Sequence, residues 1–206
     1  MRRLILSAAI FFATSIHAAE LMNGNMSIGF DYSEIDMRKD EHHFEGNVSV
    51  NQGAMSITSD RATAEGAQTD KSRWTFERNV HVQTSDADLK AATAVANVAK
   101  GTLSTATVKG APAVFEQRNA TADKQVRGRA GQIDYDFARG IVKLTNDVWF
   151  TYGGNEFRGA VVVYDLRQEK VIVNPPGSNQ GRVNITVRPR PSTDGARVTP
   201  NAESGS

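Results

Sequence analysis

The chain has 206 residues and no cysteine. No disulfide framework can hold it together, so its stability must come from its own core and backbone ladders. Opposite charges nearly cancel, with 24 Lys and Arg against 23 Asp and Glu. That balance excludes a strongly basic nucleic-acid binder. Apolar runs are short throughout, except from Leu4 to Ile16. That run follows Arg2 and Arg3 and ends in Ile16-His17-Ala18, the pattern of a secretory signal with a small-residue cleavage site. A membrane span takes about 20 apolar residues, which this run does not reach. Residues 1–18 are therefore expected to be a signal peptide removed after Ala18 or Ala19, giving an exported, soluble protein. Loss of Arg2 and Arg3 leaves 22 basic against 23 acidic residues, a net charge near −1.

Sites of familiar chemistry are also scarce. No nucleophile elbow, phosphate-cradling loop or histidine-based triad is visible. Glu41, His42, His43 and Glu45 read as a solvated turn before a strand, since zinc takes ligands from separate elements. Asp86 with Asp88, and Asp134 with Asp136, would share strand faces as glycosidase carboxylates do. Asp136, however, sits beside a tight turn, where aspartate is common for turn reasons. The expectation is no catalytic residues, no metal and no cofactor.

A fourfold repeat is what the chain does have. I-T-S-D-R-A (Ile57 to Ala62) returns as L-K-A-A-T-A (Leu89 to Ala94), V-R-G-R-A-G (Val126 to Gly131) and F-R-G-A-V-V (Phe157 to Val162), with leaders 32, 37 and 31 residues apart. A second block keeps step with the first. F-E-G-N-V-S-V (Phe44 to Val50), F-E-R-N-V-H-V (Phe76 to Val82) and L-T-N-D-V-W-F (Leu144 to Phe150) each end seven places before a leader. The third copy is V-K-G-A-P-A-V (Val108 to Val114), followed by Phe115 and a polar insertion, Glu116 to Gln125. Such periods mean one supersecondary unit stacked on copies of itself, with a long shared surface.

The segments between turns alternate apolar and polar residues and are β-branched or aromatic, as half-buried strands are. Leu89 to Val98 is Ala-rich but occupies a register that reads as strand elsewhere. After each leader the alternation slips phase at the same place, which predicts a corner or bulge within every strand. Arg182 to Arg188 reads as a last strand. The region 19–188 is expected to form one all-β domain, and 189–206, which is Pro-, Ser-, Thr-, Asn- and Gly-rich, a disordered tail.

The signal peptide, the F-x-G-N-V block and V-R-G-R-A-G-Q-I-D-Y…V-K-L-T-N-D-V-W-F together resemble the OstA-like family of the lipopolysaccharide transport machinery, over roughly Met26 to Val187. The resemblance implies an open, slightly twisted β-jellyroll of stacked antiparallel strands. It implies a periplasmic, non-catalytic carrier of lipopolysaccharide acyl chains, joined edge to edge with copies of itself and with inner-membrane and outer-membrane proteins of the same fold. An exported β-solenoid that binds or cleaves polysaccharide is the alternative.

Shared register makes Ile28, Phe30, Val50, Ile57, Phe76, Val82, Leu89, Phe115, Ile133, Tyr135, Leu144, Phe150 and Phe157 the candidate lipid contacts. Arg61, Arg127, Arg129, Lys143 and Arg158 adjoin strand apolar residues and are candidate phosphate contacts. An open stack leaves an edge at each end. The edge interface is placed on Met26, Ile28, Ile35 and Met37 at one end, and on Val171, Val173, Val183, Ile185 and Val187 at the other.

Overall fold

The computed structural model describes residues 26–85, 87–100, 102–118, 125–165, 167–168, 170–177 and 182–187. The expected signal peptide, the tail, Asp86 and most of the polar insertion lie outside the described residues. Twelve strands follow in chain order: β1 (Ser27–Gly29), β2 (Tyr32–Asp36), β3 (Glu41–Gln52), β4 (Met55–Glu65), β5 (Lys71–Gln83), β6 (Ala87–Ala99), β7 (Thr102–Gln117), β8 (Val126–Asp136), β9 (Ile141–Tyr152), β10 (Asn155–Asp165), β11 (Lys170–Val173) and β12 (Asn184–Thr186). The Ala-rich segment is strand, as its register implies.

From β3 to β10 the sheet is a meander in which each strand pairs antiparallel with its sequence neighbours. At one end, β1 and β2 cover the two halves of β3. At the other, β12 and β11 cover the two halves of β10. The result is one open antiparallel sheet, folded into a jellyroll. The β-solenoid alternative requires parallel coils, whereas every strand pairing here is antiparallel.

The fold along the sheet is made by the predicted corners. Pairing shifts register in mid-strand at every step from β3 to β10, for instance between Glu45 and Val48 on β3 and between Glu77 and Val80 on β5. Three strands turn there through left-handed residues: Gly46-Asn47, Arg78-Asn79 and Asn146-Asp147. Glycine and asparagine tolerate that conformation best, which explains the G-N-V, R-N-V and N-D-V of the repeat. The partner strands pass the corner on small residues, Ser59-Asp60, Ala91-Ala92, Ala130-Gly131 and Gly159-Ala160.

Each strand thus supplies two walls, and the walls face each other. Gly128 on one wall shows the approach: a Cβ there would lie 3.1 Å from Leu144 Cδ2 on the other. The ring of Phe150 likewise lies 5.9 Å from that of Tyr164 across the interior.

Two details of the repeat differ from the sequence expectation. Gly128, not Val126, stands in register with Ile57, Leu89 and Phe157, and Phe115, not Val114, stands in register with Val50, Val82 and Phe150. For Phe115 the cause is the β7 corner at Gly110-Ala111-Pro112, which is one residue longer than the corners of β3, β5 and β9; β8 keeps the same step from Gly128 to Ile133 as β4 does from Ile57 to Ala62. Val114 is consequently turned outward and is 44% exposed.

Phe76 is 2% exposed at the centre of the apolar cluster. Phe76→Ala should destabilise by about 3–5 kcal/mol in urea unfolding. Its outward-facing neighbour is the control: Thr75→Ala should stay within about 0.5 kcal/mol.

Candidate functional site

The apolar interior is built from continuous cross-strand rows. One runs through Ile28, Val50, Ile57, Val82, Leu89, Phe115, Gly128, Phe150, Phe157 and Ile185, from edge to edge. On the facing wall a second runs through Phe44, Ala62, Phe76, Ala94, Val108, Ile133, Leu144, Val162 and Val173. Twelve of the thirteen sequence-derived candidates therefore fall on interior rows, Tyr135 on a third beside Ala106 and Val142. Phe30 is the exception: it lies between β1 and β2, 42% exposed, with its ring 5.1 Å from that of Phe44.

Large and small side chains alternate along the second row through Phe44, Ala62, Phe76 and Ala94, so neighbouring strands interlock. Aromatic rings collect towards both ends. At the first, the Phe44 and Trp74 rings stack 6.2 Å apart and 1° from parallel. At the other, Tyr135 and Phe137 lie 4.0 Å apart and Tyr152 and Tyr164 6.0 Å apart. Burial pushes the Tyr135 phenol above its ordinary pKa, as an apolar interior should. Between these ends β6 presents small residues, Ala91, Ala94 and Ala96, to the interior.

Sequence reading missed Phe44, Trp74 and Val108 as interior residues. Phe44 was accessible to it, because it aligns with Phe76 and Leu144 in the second block. Trp74 precedes the block and needed the strand alternation carried back two residues.

The five basic candidates stand on the outer face. Arg127 and Arg129 flank interior Gly128, Arg61 precedes Ala62, Lys143 precedes Leu144 and Arg158 follows Phe157, and neighbours along a strand point to opposite faces. Arg61 pairs with Glu45 at 3.0 Å and Arg127 with Glu116 at 2.8 Å, while Arg158 pairs with Glu156. The Arg129 guanidinium lies 5.8 Å over the Trp149 ring, and Lys143 faces Asp134 across the ladder.

The histidine and carboxylate groups are divided among separate environments. His42 faces the interior. His43 faces out, its Nε2 3.3 Å from Glu41. Asp134 accepts from the Thr107 hydroxyl and the Gln132 amide, and Asp136 accepts from the turn N–H of Arg139.

Edge residues behave differently from the middle. Among the described residues, Met26, Phe30, Tyr32, Ile35, Met37, Val183, Ile185 and Val187 are exposed large apolar side chains, and only Val114 joins them from the centre of the sheet. Met37 reaches 72% and Ile185 54%. Val171 and Val173 are half-buried against the core.

An open antiparallel jellyroll whose packed interior is lined by apolar rows running from edge to edge, and whose edges expose apolar side chains, defines a class of elongated β-proteins without a compact pocket. Residues 28–170 match the family described as LptA/(LptD N-terminal domain) LPS transport protein, and the chain belongs to that family. None of the curated proteins compared matches it in sequence. Among solved structures, it is similar to the crystal structure of LptH, the LptA homologous periplasmic component of the conserved lipopolysaccharide transport device from Pseudomonas aeruginosa. The identity is 19% and the TM-score 0.44, over 82% of this chain and 99% of that one.

One outer-face cluster has consequences for stability. Asp88 Oδ2 accepts from His81 at 2.9 Å, from Gln83 at 3.2 Å and from Arg118. Burial alone would raise the Asp88 pKa, but the hydrogen bonds from His81, Arg118 and Gln83 outweigh it and hold the carboxyl well below the usual range. A folded-state pKa below the unfolded value gives stability that is present above the unfolded value and lost as pH falls. Asp88→Asn should therefore be less stable than wild type near neutrality. The difference should begin to close below about pH 4, where unfolded carboxylates take up protons. Thermal melts across that range measure it.

Proposed function

We propose that the protein is a non-catalytic periplasmic carrier that shelters lipopolysaccharide acyl chains between its two walls and forms part of a bridge from inner to outer membrane. The observation that carries this reading is the apolar row from Ile28 to Ile185, which crosses the sheet from one edge to the other. Each acyl methylene left in water costs about 0.8 kcal/mol, and a lined path removes that cost over its whole length. The rows continue from strand to strand, so a chain can shift along them without leaving the apolar lining.

The walls are packed against each other by their own side chains, so acyl chains enter by spreading them. Residues facing lipid would be Ile28, Phe30, Val50, Ile57, Phe76, Val82, Leu89, Phe115, Ile133, Tyr135, Leu144, Phe150 and Phe157. Lipid phosphates would meet Arg127 and Arg158 near the hairpin rim, in competition with Glu116 and Glu156. Arg61, Arg129 and Lys143 lie further from that rim. The exposed apolar edges fit strand addition. The contact would be head to tail with further copies, and would also dock the inner-membrane and outer-membrane partners.

Photo-crosslinkers at Ile57, Phe76, Phe150 and Phe157 should capture lipopolysaccharide, and those at outward-facing Thr58 and Thr151 should not. Capture from the threonines alone would reverse the assignment of faces.

For the edges, replacing Ile185 and Val187 with aspartate should abolish concentration-dependent growth in light scattering while lipid capture survives. Growth that persists in this variant would move the contact elsewhere.

A further inference from the structure

One interior row begins with a polar residue. His42 pairs with Ala64 across the ladder, and Ala64 with Trp74, so the imidazole occupies a position that is apolar on the next strands. Its ring centroid lies 6.3 Å from that of Phe44. His42 Nε2 is 3.8 Å from Asp40 Oδ1. Both atoms are shut off from solvent and neither has a hydrogen-bond partner.

The carboxylate cannot easily swing away to find one. Asp40 sits in a left-handed turn with φ 52°. Its other oxygen accepts the Gln68 N–H at 3.1 Å, and its carbonyl accepts the Gly66 N–H at 2.9 Å. Two adjacent buried polar atoms left unpaired are costly, and such a pair calls for a functional account.

We infer that His42 and Asp40 form a hydrogen-bonding foothold, at one end of a largely apolar path, for a hydroxyl carried on a lipid chain. This rests on the reading of the interior as a lipid path. With the imidazole proton on Nε2, one hydroxyl can accept from His42 and donate to Asp40 Oδ1, satisfying both at once. A plain methylene chain satisfies neither. A phosphate is disfavoured, because the Asp40 carboxylate would repel it. The two atoms come within reach of a ligand as the walls spread to admit it, so the contact marks one place along the rows where a chain is held in register.

The test compares myristic acid with β-hydroxymyristic acid as competitors of a fluorescent fatty acid on the purified protein. Wild type should prefer the hydroxylated acid by about tenfold or more, because the hydroxyl makes two hydrogen bonds and one of them is to a carboxylate. His42→Phe, which keeps an aromatic ring beside Phe44, should bind myristic acid as well as wild type and lose the preference. Asp40→Asn is the second variant. Asparagine tolerates the left-handed turn, and its oxygen stays with the Gln68 N–H, which turns its NH2 toward His42 and removes the acceptor. Its preference should fall as well. Equal affinities in wild type, or a preference retained in His42→Phe, would overturn the foothold and leave the lipid path standing. Failure of both acids to compete would overturn the foothold and the lipid path together.

Discussion

A β-strand in a single sheet can bury one face only if something covers it. This chain has no helices among its described residues and no second sheet to serve. Each long strand therefore covers itself: a corner in its middle reverses which residues alternate inward and brings its two halves face to face. The left-handed residues at Gly46-Asn47, Arg78-Asn79 and Asn146-Asp147 are the local condition for this. Without them Phe44, Phe76 and Leu144 would have no opposing wall. The core, the interior rows and the outward direction of the basic residues all follow from the corner.

Stacking sets the remaining geometry. Because β3 to β10 repeat one unit, a residue placed inward on one strand is in register with inward residues on the next, and a row results where a compact fold would give a cluster. The same logic leaves the two ends unsatisfied. Each end strand has its halves covered by two short strands, and these together with the residues flanking them carry all but one of the exposed large apolar side chains among the described residues. A repeat array that needs caps for solubility here ends in surfaces rich in methionine, isoleucine and valine.

Much of this was legible in the sequence. The repeat blocks placed Ile57, Leu89 and Phe157 in one row and Phe76 with Leu144 in another, and the phase slip located the corners. What failed did so for countable reasons. Val114 is misaligned because the longer corner at Gly110-Ala111-Pro112 is indistinguishable, by pattern alone, from a shifted repeat; Val126 is misaligned because the position in register with the other leaders holds Gly128, which has no apolar side chain to mark it. The basic residues were sought beside apolar strand residues, yet adjacency along a strand means the opposite face. Thus Arg127 and Arg129 share the wall that holds Gly128 but point out of the interior. That His42 Nε2 and Asp40 Oδ1 lack hydrogen-bond partners could not be found by pattern, since it depends on how the Asp40 turn and the Phe44 ring enclose them.

The packing along the rows bears on how such an interior could open. At the β9 and β10 end aromatic rings meet across the two walls, Tyr164 lying 5.9 Å from Phe150 and 6.0 Å from Tyr152. In the middle, β6 offers alanines, and Leu89 and Phe115 are only partly buried. Separating walls at an aromatic stack loses large contact areas at once, whereas separating them at alanines loses little. The walls therefore spread at less cost in the centre of the stack than at β9 and β10. A chain accommodated in the centre would meet rings that resist opening as it advances towards that end. That gradient is a property of side-chain size alone, and it needs no moving part beyond the corners that already hold the walls together.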